Sequence, residues 1–281
     1  FSRPANKAII TELVEKDELV LYNSRLELVL QVVSVSSPVL SFLVLQFASL
    51  HLTLLLDALT FFIAFVLVAL LPKEEPMVQD KKPFTGKDIF ADIKDGLHYI
   101  WHQKEIFFLL LVASSVNFFF AAFEFLLPFS NKLYGVEGAY ATILTMGAIG
   151  SIIGALIANK FKSSMNTLLF LLILTGVGVF MMGLPLPNIL AFSGNLICEL
   201  FMTIFNIHFF TRVQTKVESE FLGRVLSTIF TLAILFMPIA KGFMTVLPSV
   251  HLSSFLIIGS GVIILSCISF IYVRTHFEKL I

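Results

Sequence analysis

Long unbroken apolar runs set the pattern of this chain. Eight of them, at about 26–47, 52–71, 106–129, 139–159, 165–184, 187–211, 225–247 and 252–273, reach membrane length. A spanning helix needs roughly 20 mostly apolar residues to cross about 30 Å of hydrocarbon. A transmembrane barrel would instead show segments of about 10 residues with strict alternation. The pattern therefore predicts an all-α, polytopic membrane protein with eight transmembrane helices. Only the interval from Lys73 to Lys104 is both long and strongly charged, and it leaves two spans before it and six after. Within it Ile89, Ile93, Leu97 and Ile100 recur at helical spacing between Asp88, Asp92, Lys94 and Asp95, with Trp101 at the end. That predicts an amphipathic helix lying on the inner membrane face or against helix ends.

Composition agrees with this reading. With 57% hydrophobic residues, 31 Phe and 14% charged residues, the chain carries more apolar side chain than a soluble core can hide. The formal net charge is zero and gives no attraction to nucleic acid. The distribution of charge is more telling. Of the 19 Lys and Arg, all but Lys132 and Lys241 lie in the first 25 residues, in or beside the linker, or in alternate later connections. By the positive-inside rule both termini and the linker face the cytoplasm of a multi-pass cell-membrane protein. Cys198 and Cys267 both fall inside spans, which excludes a disulfide scaffold.

Polar residues at bilayer depth are the candidate chemistry, because a charge there costs at least about 2.5 to 3.5 kcal/mol. Glu124 in the third span, Glu199 in the sixth and Lys241 in the seventh are the three charged ones. Each has polar neighbours at helical spacing. Asn117 shares a face with Glu124, Asn195, Thr203 and Asn206 share one with Glu199, and Ser227, Thr231, Pro238 and Thr245 accompany Lys241. Three polar faces predict a shared wet interior that serves as a substrate and proton pathway. At about 1.5 Å per residue, Glu124 and Lys241 lie at similar depth, roughly 8 and 9 Å from the outer ends of their helices. They form either a structural ion pair or part of a proton site. A carboxyl withdrawn from water holds its proton closer to neutral pH, which suits Glu124 or Glu199 to exchange proton entry for export of an amphipathic solute. Asp57 sits near the outer end of its span, where helix capping or solvation suffices. Phe118, Phe119, Phe120, Phe123 and Phe125 encircle the third span, so they divide between lipid or packing positions and an apolar cavity wall.

Packing and gating candidates complete the list. Gly147, Gly150 and Gly154 form a row of small residues three and four apart in the fourth span, which permits close helix approach. Pro38 breaks the backbone ladder of the first span, where Gln31, Ser34, Ser37 and Ser41 make one stripe polar. A packing kink and a role in transport both fit it.

Several stretches carry a family resemblance. Phe1-Ser2-Arg3-Pro4-Ala5, Ala8, Glu12-Leu13-Val14, Lys16-Asp17-Glu18-Leu19 and Asn23-Ser24 open the chain, and Leu56-Asp57-Ala58-Leu59-Thr60-Phe61-Phe62 follows in the second span. Asp95-Gly96-Leu97-His98-Tyr99-Ile100, Gln214 and Leu222-Gly223-Arg224-Val225-Leu226-Ser227 continue the series. In this order the sequence resembles drug exporters of the major facilitator superfamily, in the branch of macrolide-efflux and enterobactin exporters. The resemblance implies that the eight spans correspond to the fifth through twelfth of a twelve-span carrier. Residues 1–71 would then hold a cytoplasmic segment and the last two helices of one half, 72–104 the linker, and 105–281 a complete second half. It also implies that the third and sixth spans line the central cavity, and that the 281-residue chain alone, lacking the opposing wall, does not transport. The family's Gly-Pro pair at the first-span bend is replaced here by Ser37-Pro38.

Other classes find little support. No His-Glu-x-x-His, paired Cys or metal-spaced His pattern occurs, so no cofactor is expected. Ala191-Phe192-Ser193-Gly194 with His208 or His251 is a faint intramembrane serine-nucleophile pattern. A membrane scaffold that keeps the fold without transport, and a nutrient importer on the same fold, remain as alternatives. The expected partners are the lipid bilayer, a small amphipathic substrate and protons.

Overall fold

The computed structural model describes residues 10–11, 14–47, 50–69, 86–246 and 249–276. They form the helices α1 (Leu19–Phe47), α2 (Leu50–Ala69), α3 (Gly86–His102), α4 (Lys104–Leu126), α5 (Ser130–Tyr134), α6 (Ala139–Ile157), α7 (Met165–Met182), α8 (Asn188–Lys216), α9 (Ser219–Val246) and α10 (Ser253–His276). The contacts divide the chain into two compact units, Val32–Ile89 on one hand and Phe1–Gln31 with Phe90–Ile281 on the other.

Among the described residues six helical segments are long and apolar enough to cross a bilayer: Lys104–Tyr134, Ala139–Lys160, Met165–Met182, Asn188–Lys216, Ser219–Val246 and Ser253–His276. These match the third through eighth expected spans. The first two fall on α1 and α2, which are helical but are not among the six, so six of the eight expected spans are found among the described residues. Two boundaries also move. The helix expected to stop near residue 211 runs on to Lys216, and on its last turns Arg212 and Lys216 reach Glu105 at the start of α4. Helix α9 begins at Ser219, one and a half turns before its apolar run.

The six-span bundle is built on close backbone approach. Helix α6 packs along α8, α7 packs against α8 and α10, and α4 packs against α9 and α10. A Cβ on Gly150 would meet Leu196 Cα at 3.0 Å, and one on Gly154 would lie 3.2 Å from both the Leu200 carbonyl carbon and Thr203 Cβ. The glycine row therefore faces α8, as its spacing predicts, and leaves no room for a side chain. Gly178 and Gly194 bring α7 and α8 together in the same way, and Gly176 with Gly259 does so for α7 and α10. Phe123 and Phe255 fill the core between α4 and α10, with ring centroids 5.9 Å apart. Outside this core α9 presents Ile234, Leu235, Ile239 and Phe243, all more than half exposed.

Helix α3 forms over the expected stretch. Its first residues, 86–93, lie outside those whose side chains are described. From there on the buried side differs from the periodic one: Gly96 and Ile100 are buried, whereas Leu97 is 40% exposed. The rotation follows from Gly96, whose missing side chain admits the Thr228 side chain and the Arg224 carbonyl of α9. Tyr99 then stacks on Phe221 at 4.8 Å between centroids.

Candidate functional site

Helical spacing puts Glu124 and Lys241 at matching heights on α4 and α9, and their side chains meet. Lys241 Nζ lies 3.2 Å from Glu124 Oε2, with each side chain about half exposed. On the neighbouring face Glu199 of α8 accepts a hydrogen bond of 3.4 Å from the Ser151 hydroxyl of α6. Gly147 makes room for this junction. A Cβ there would fall 3.1 Å from Glu199 Cγ and 3.3 Å from Asn195 Cγ. Glu199 is within electrostatic reach of Glu124, and also of Glu27 on α1. The two carboxylates named from the sequence therefore belong to one region of the bundle, not to opposite sides.

The accompanying amides and hydroxyls divide between structure and site. Asn195 is buried and donates from Nδ2 to the Ile143 carbonyl at 2.8 Å, which ties α8 to α6. Its Oδ1 is buried without a partner, a state that ordinarily costs about 1 to 3 kcal/mol. Thr203 is buried beside Gly154. Asn117 and Asn206 are half-buried on α4 and α8. Pro38 lies within the continuous helix α1, and its side chain is outside the described residues. Gln31 donates to Glu27 at 2.9 Å one turn back on α1.

A second polar cluster, around the end of α8, joins residues that the sequence does not connect. His208 is buried, with Nε2 2.9 Å from the Ala158 carbonyl and Nδ1 2.6 Å from the Ser163 hydroxyl. Such a ring donates through Nε2 to the carbonyl and accepts through Nδ1 from the serine. Arg212 donates to both the Glu105 carboxylate and the Ser163 carbonyl. Lys216 adds a contact of 3.6 Å to Glu105. One turn round the same helix, Thr211 and Gln214 accept from Asn23 Nδ2 at 3.0 and 2.8 Å. All three of these side chains are buried. Asn23 and Gln214 belong to the stretches that carry the family resemblance, which was the available signal for them.

The serine-nucleophile pattern does not assemble. Ser193 gives its hydroxyl to the Leu190 carbonyl, and His208 is occupied by Ala158 and Ser163. No group of three or more His, Cys, Asp or Glu able to hold a metal occurs among the described residues. Cys198 and Cys267 are free thiols. A cavity of about 340 Å³ lies away from the carboxylates, between α3 and α9, lined by Asp95, His98, Tyr99, His102, Gln103, Phe221 and Arg224.

Comparison with known proteins bears on what such a bundle is for. The chain is 28% identical over 256 residues to macrolide efflux protein A of Enterococcus faecalis, covering 85% of this chain and 76% of that protein. It is 28% identical over 255 residues to macrolide efflux protein A of Streptococcus pyogenes, covering 85% of this chain and 60% of that one. No solved structure matches it. The profile of the Major Facilitator Superfamily, a family of transporters and not of enzymes, matches residues 1–233. A helical bundle with six candidate spans, a charged linker helix and paired charges at membrane depth is thus placed by its sequence: the chain belongs to the Major Facilitator Superfamily.

Proposed function

We propose that this chain is part of a secondary active exporter in which entry of protons drives export of an amphipathic, drug-like compound by alternating access. The observation that carries the proposal is the division of labour between the two acids. Glu124 is committed to Lys241 at 3.2 Å. Among the described residues Glu199 has the Ser151 hydroxyl at 3.4 Å and no ion pair. Glu199 is therefore assigned as the group that gains and releases the proton. Glu124 and Lys241 form the resting ion pair, which exchanges partners when Glu199 changes charge. Asn117, Asn195, Thr203 and Asn206 supply polar contacts along the same pathway, and a minority of the Phe residues of α4 supply apolar wall. In folds of this type substrate sits near the midplane between two repeated halves. We assign α1 and α2 to one half as two further spans, residues 72–104 to the linker, and residues 105–281 to the other half. The positive-charge bias places the termini and linker in the cytoplasm. That two relatives are named macrolide efflux protein A supports a macrolide as the substrate class.

The test is efflux from cells producing the full-length protein with Glu199→Gln or Glu124→Gln. A carrier loses coupled export with Glu199→Gln while the protein still reaches the membrane. A second reading, a membrane scaffold without transport, is favoured by the Glu124–Lys241 pair, which would clamp α4 to α9. On that reading both substitutions leave function intact and alter only expression.

A further inference from the structure

The end of α3 carries His98 and His102, four residues apart and therefore on one face of the helix. In a sequence, a single pair at this spacing is too little to signal a metal. The fold adds its geometry. Both side chains are exposed, and their ring centroids are 4.4 Å apart. His102 Nδ1 lies 2.8 Å from the His98 carbonyl, so that nitrogen carries the proton and donates. The bond fixes the ring and leaves Nε2 with its lone pair. Among the described residues the His98 ring makes no hydrogen bond, which leaves a nitrogen lone pair there as well.

Histidines that ligate metals commonly have this arrangement, with the other ring nitrogen donating to a backbone carbonyl. Two nitrogens bound to one metal at about 2.0–2.1 Å stand roughly 3 Å apart. Rings centred 4.4 Å apart reach that separation by rotation of the side chains alone. There is also room for the rest of a coordination shell. Both imidazoles line the cavity of about 340 Å³ between α3 and α9, with Asp95 and Gln103 beside them. No third His, Cys, Asp or Glu joins the pair as a ligand among the described residues, so water completes the shell. Asp95 offsets the positive charge that Arg224 brings to the same cavity.

We propose that His98 and His102 bind one divalent transition-metal ion of the kind imidazole suits, Cu²⁺, Ni²⁺ or Zn²⁺, and that the ion staples the last turn of α3. That turn fastens the linker to the bundle. Tyr99 stacks on Phe221 with centroids 4.8 Å apart, its hydroxyl accepts from the Glu218 N–H at 3.4 Å, and Ile100 is fully buried. An unwound turn does not present both rings to one ion, so the metal favours the wound, docked turn by mass action. The site is independent of the transport reading, because it lies away from Glu124 and Glu199 and its test involves no substrate.

Trp101, the one tryptophan of the chain, stands between the two histidines and is 65% exposed. It reports both binding and unwinding. In the full chain, purified in detergent with its affinity tag removed and metals stripped by chelator, Cu²⁺ should quench Trp101 fluorescence saturably at one equivalent. Chelator should reverse the quenching. His98→Gln and His102→Gln should each weaken the titration at least about tenfold, since losing even a hydrogen-bond partner of a ligand costs that much. His276→Gln, at another exposed histidine, should leave it unchanged. At Cu²⁺ tenfold above half-saturation, cleavage by chymotrypsin after Trp101 should slow about tenfold, and in His98→Gln by no more than about twofold. Absent quenching, or quenching in both His98→Gln and His102→Gln equal to that of the unsubstituted chain, overturns the site. Quenching that needs both histidines but leaves cleavage unchanged overturns the staple and means an adventitious ion only.

Discussion

Glu124 and Lys241 show how one pair of residues answers a question that sequence leaves open. Their depths, counted along two helices, predict that they meet, and they do, at 3.2 Å. What depth counting misses is exposure. Each side chain is about half exposed, so the pair behaves as a partly screened one and contributes about 1 kcal/mol or less. Lys241→Gln alone leaves Glu124 without its cation. We expect it to lower the melting temperature in detergent more than Glu124→Gln/Lys241→Gln together. A double variant less stable than the single would show that the two residues act through other partners. Gly150 makes the opposite case, since the backbone of Leu196 stands where its side chain would be. Overpacking of this sort costs about 1 to 3 kcal/mol. Gly150→Leu should therefore abolish a monodisperse peak in size-exclusion chromatography, whereas Gly242→Leu, where no atom stands within 4 Å, should leave it unchanged.

At the scale of elements, the sequence was most legible where apolar length decided the outcome. The six runs from 106 onward became six bundle helices because nothing but a helix satisfies their backbone in lipid. The glycine row of α6 was legible too, because spacings of three and four give a single stripe. The ends were less so. Arg212 and Lys216 look like a cytoplasmic loop until Glu105, more than a hundred residues earlier, comes to meet them. No local pattern announces a contact of that range. Leu97 shows a related limit: periodicity ranks side chains by hydrophobicity, whereas α3 docks on α9 through the residue that has none. Gly96 sits under Thr228 and the Arg224 carbonyl, so Gly96→Leu should detach α3 from α9. Limited proteolysis in the linker would register this as faster cleavage, and an unchanged rate would argue that Tyr99 and Phe221 hold the helix alone.

For the whole molecule, the resemblance carried by scattered short motifs identified the superfamily, and the profile match over residues 1–233 agrees with it. The candidate site was named from the sequence by residue type and spacing, which assign no roles. Spacing could place Glu124 and Glu199 on inward faces, yet only the fold shows that one is taken by Lys241 and the other is left with Ser151. The hydrogen-bonded end of α8 was not legible, because Asn23, Thr211 and Gln214 are ordinary polar residues until two distant helix ends come together. The central claim, that Glu199 couples protons to export, is tested most directly by substrate accumulation in inverted vesicles carrying the full-length protein under an imposed pH gradient. Wild type should concentrate a macrolide when the interior is acid and stop when the gradient is collapsed, while Glu199→Gln binds the macrolide but does not respond to the gradient. A Glu199→Gln protein that accumulates substrate with the same dependence on the gradient as wild type would contradict the account.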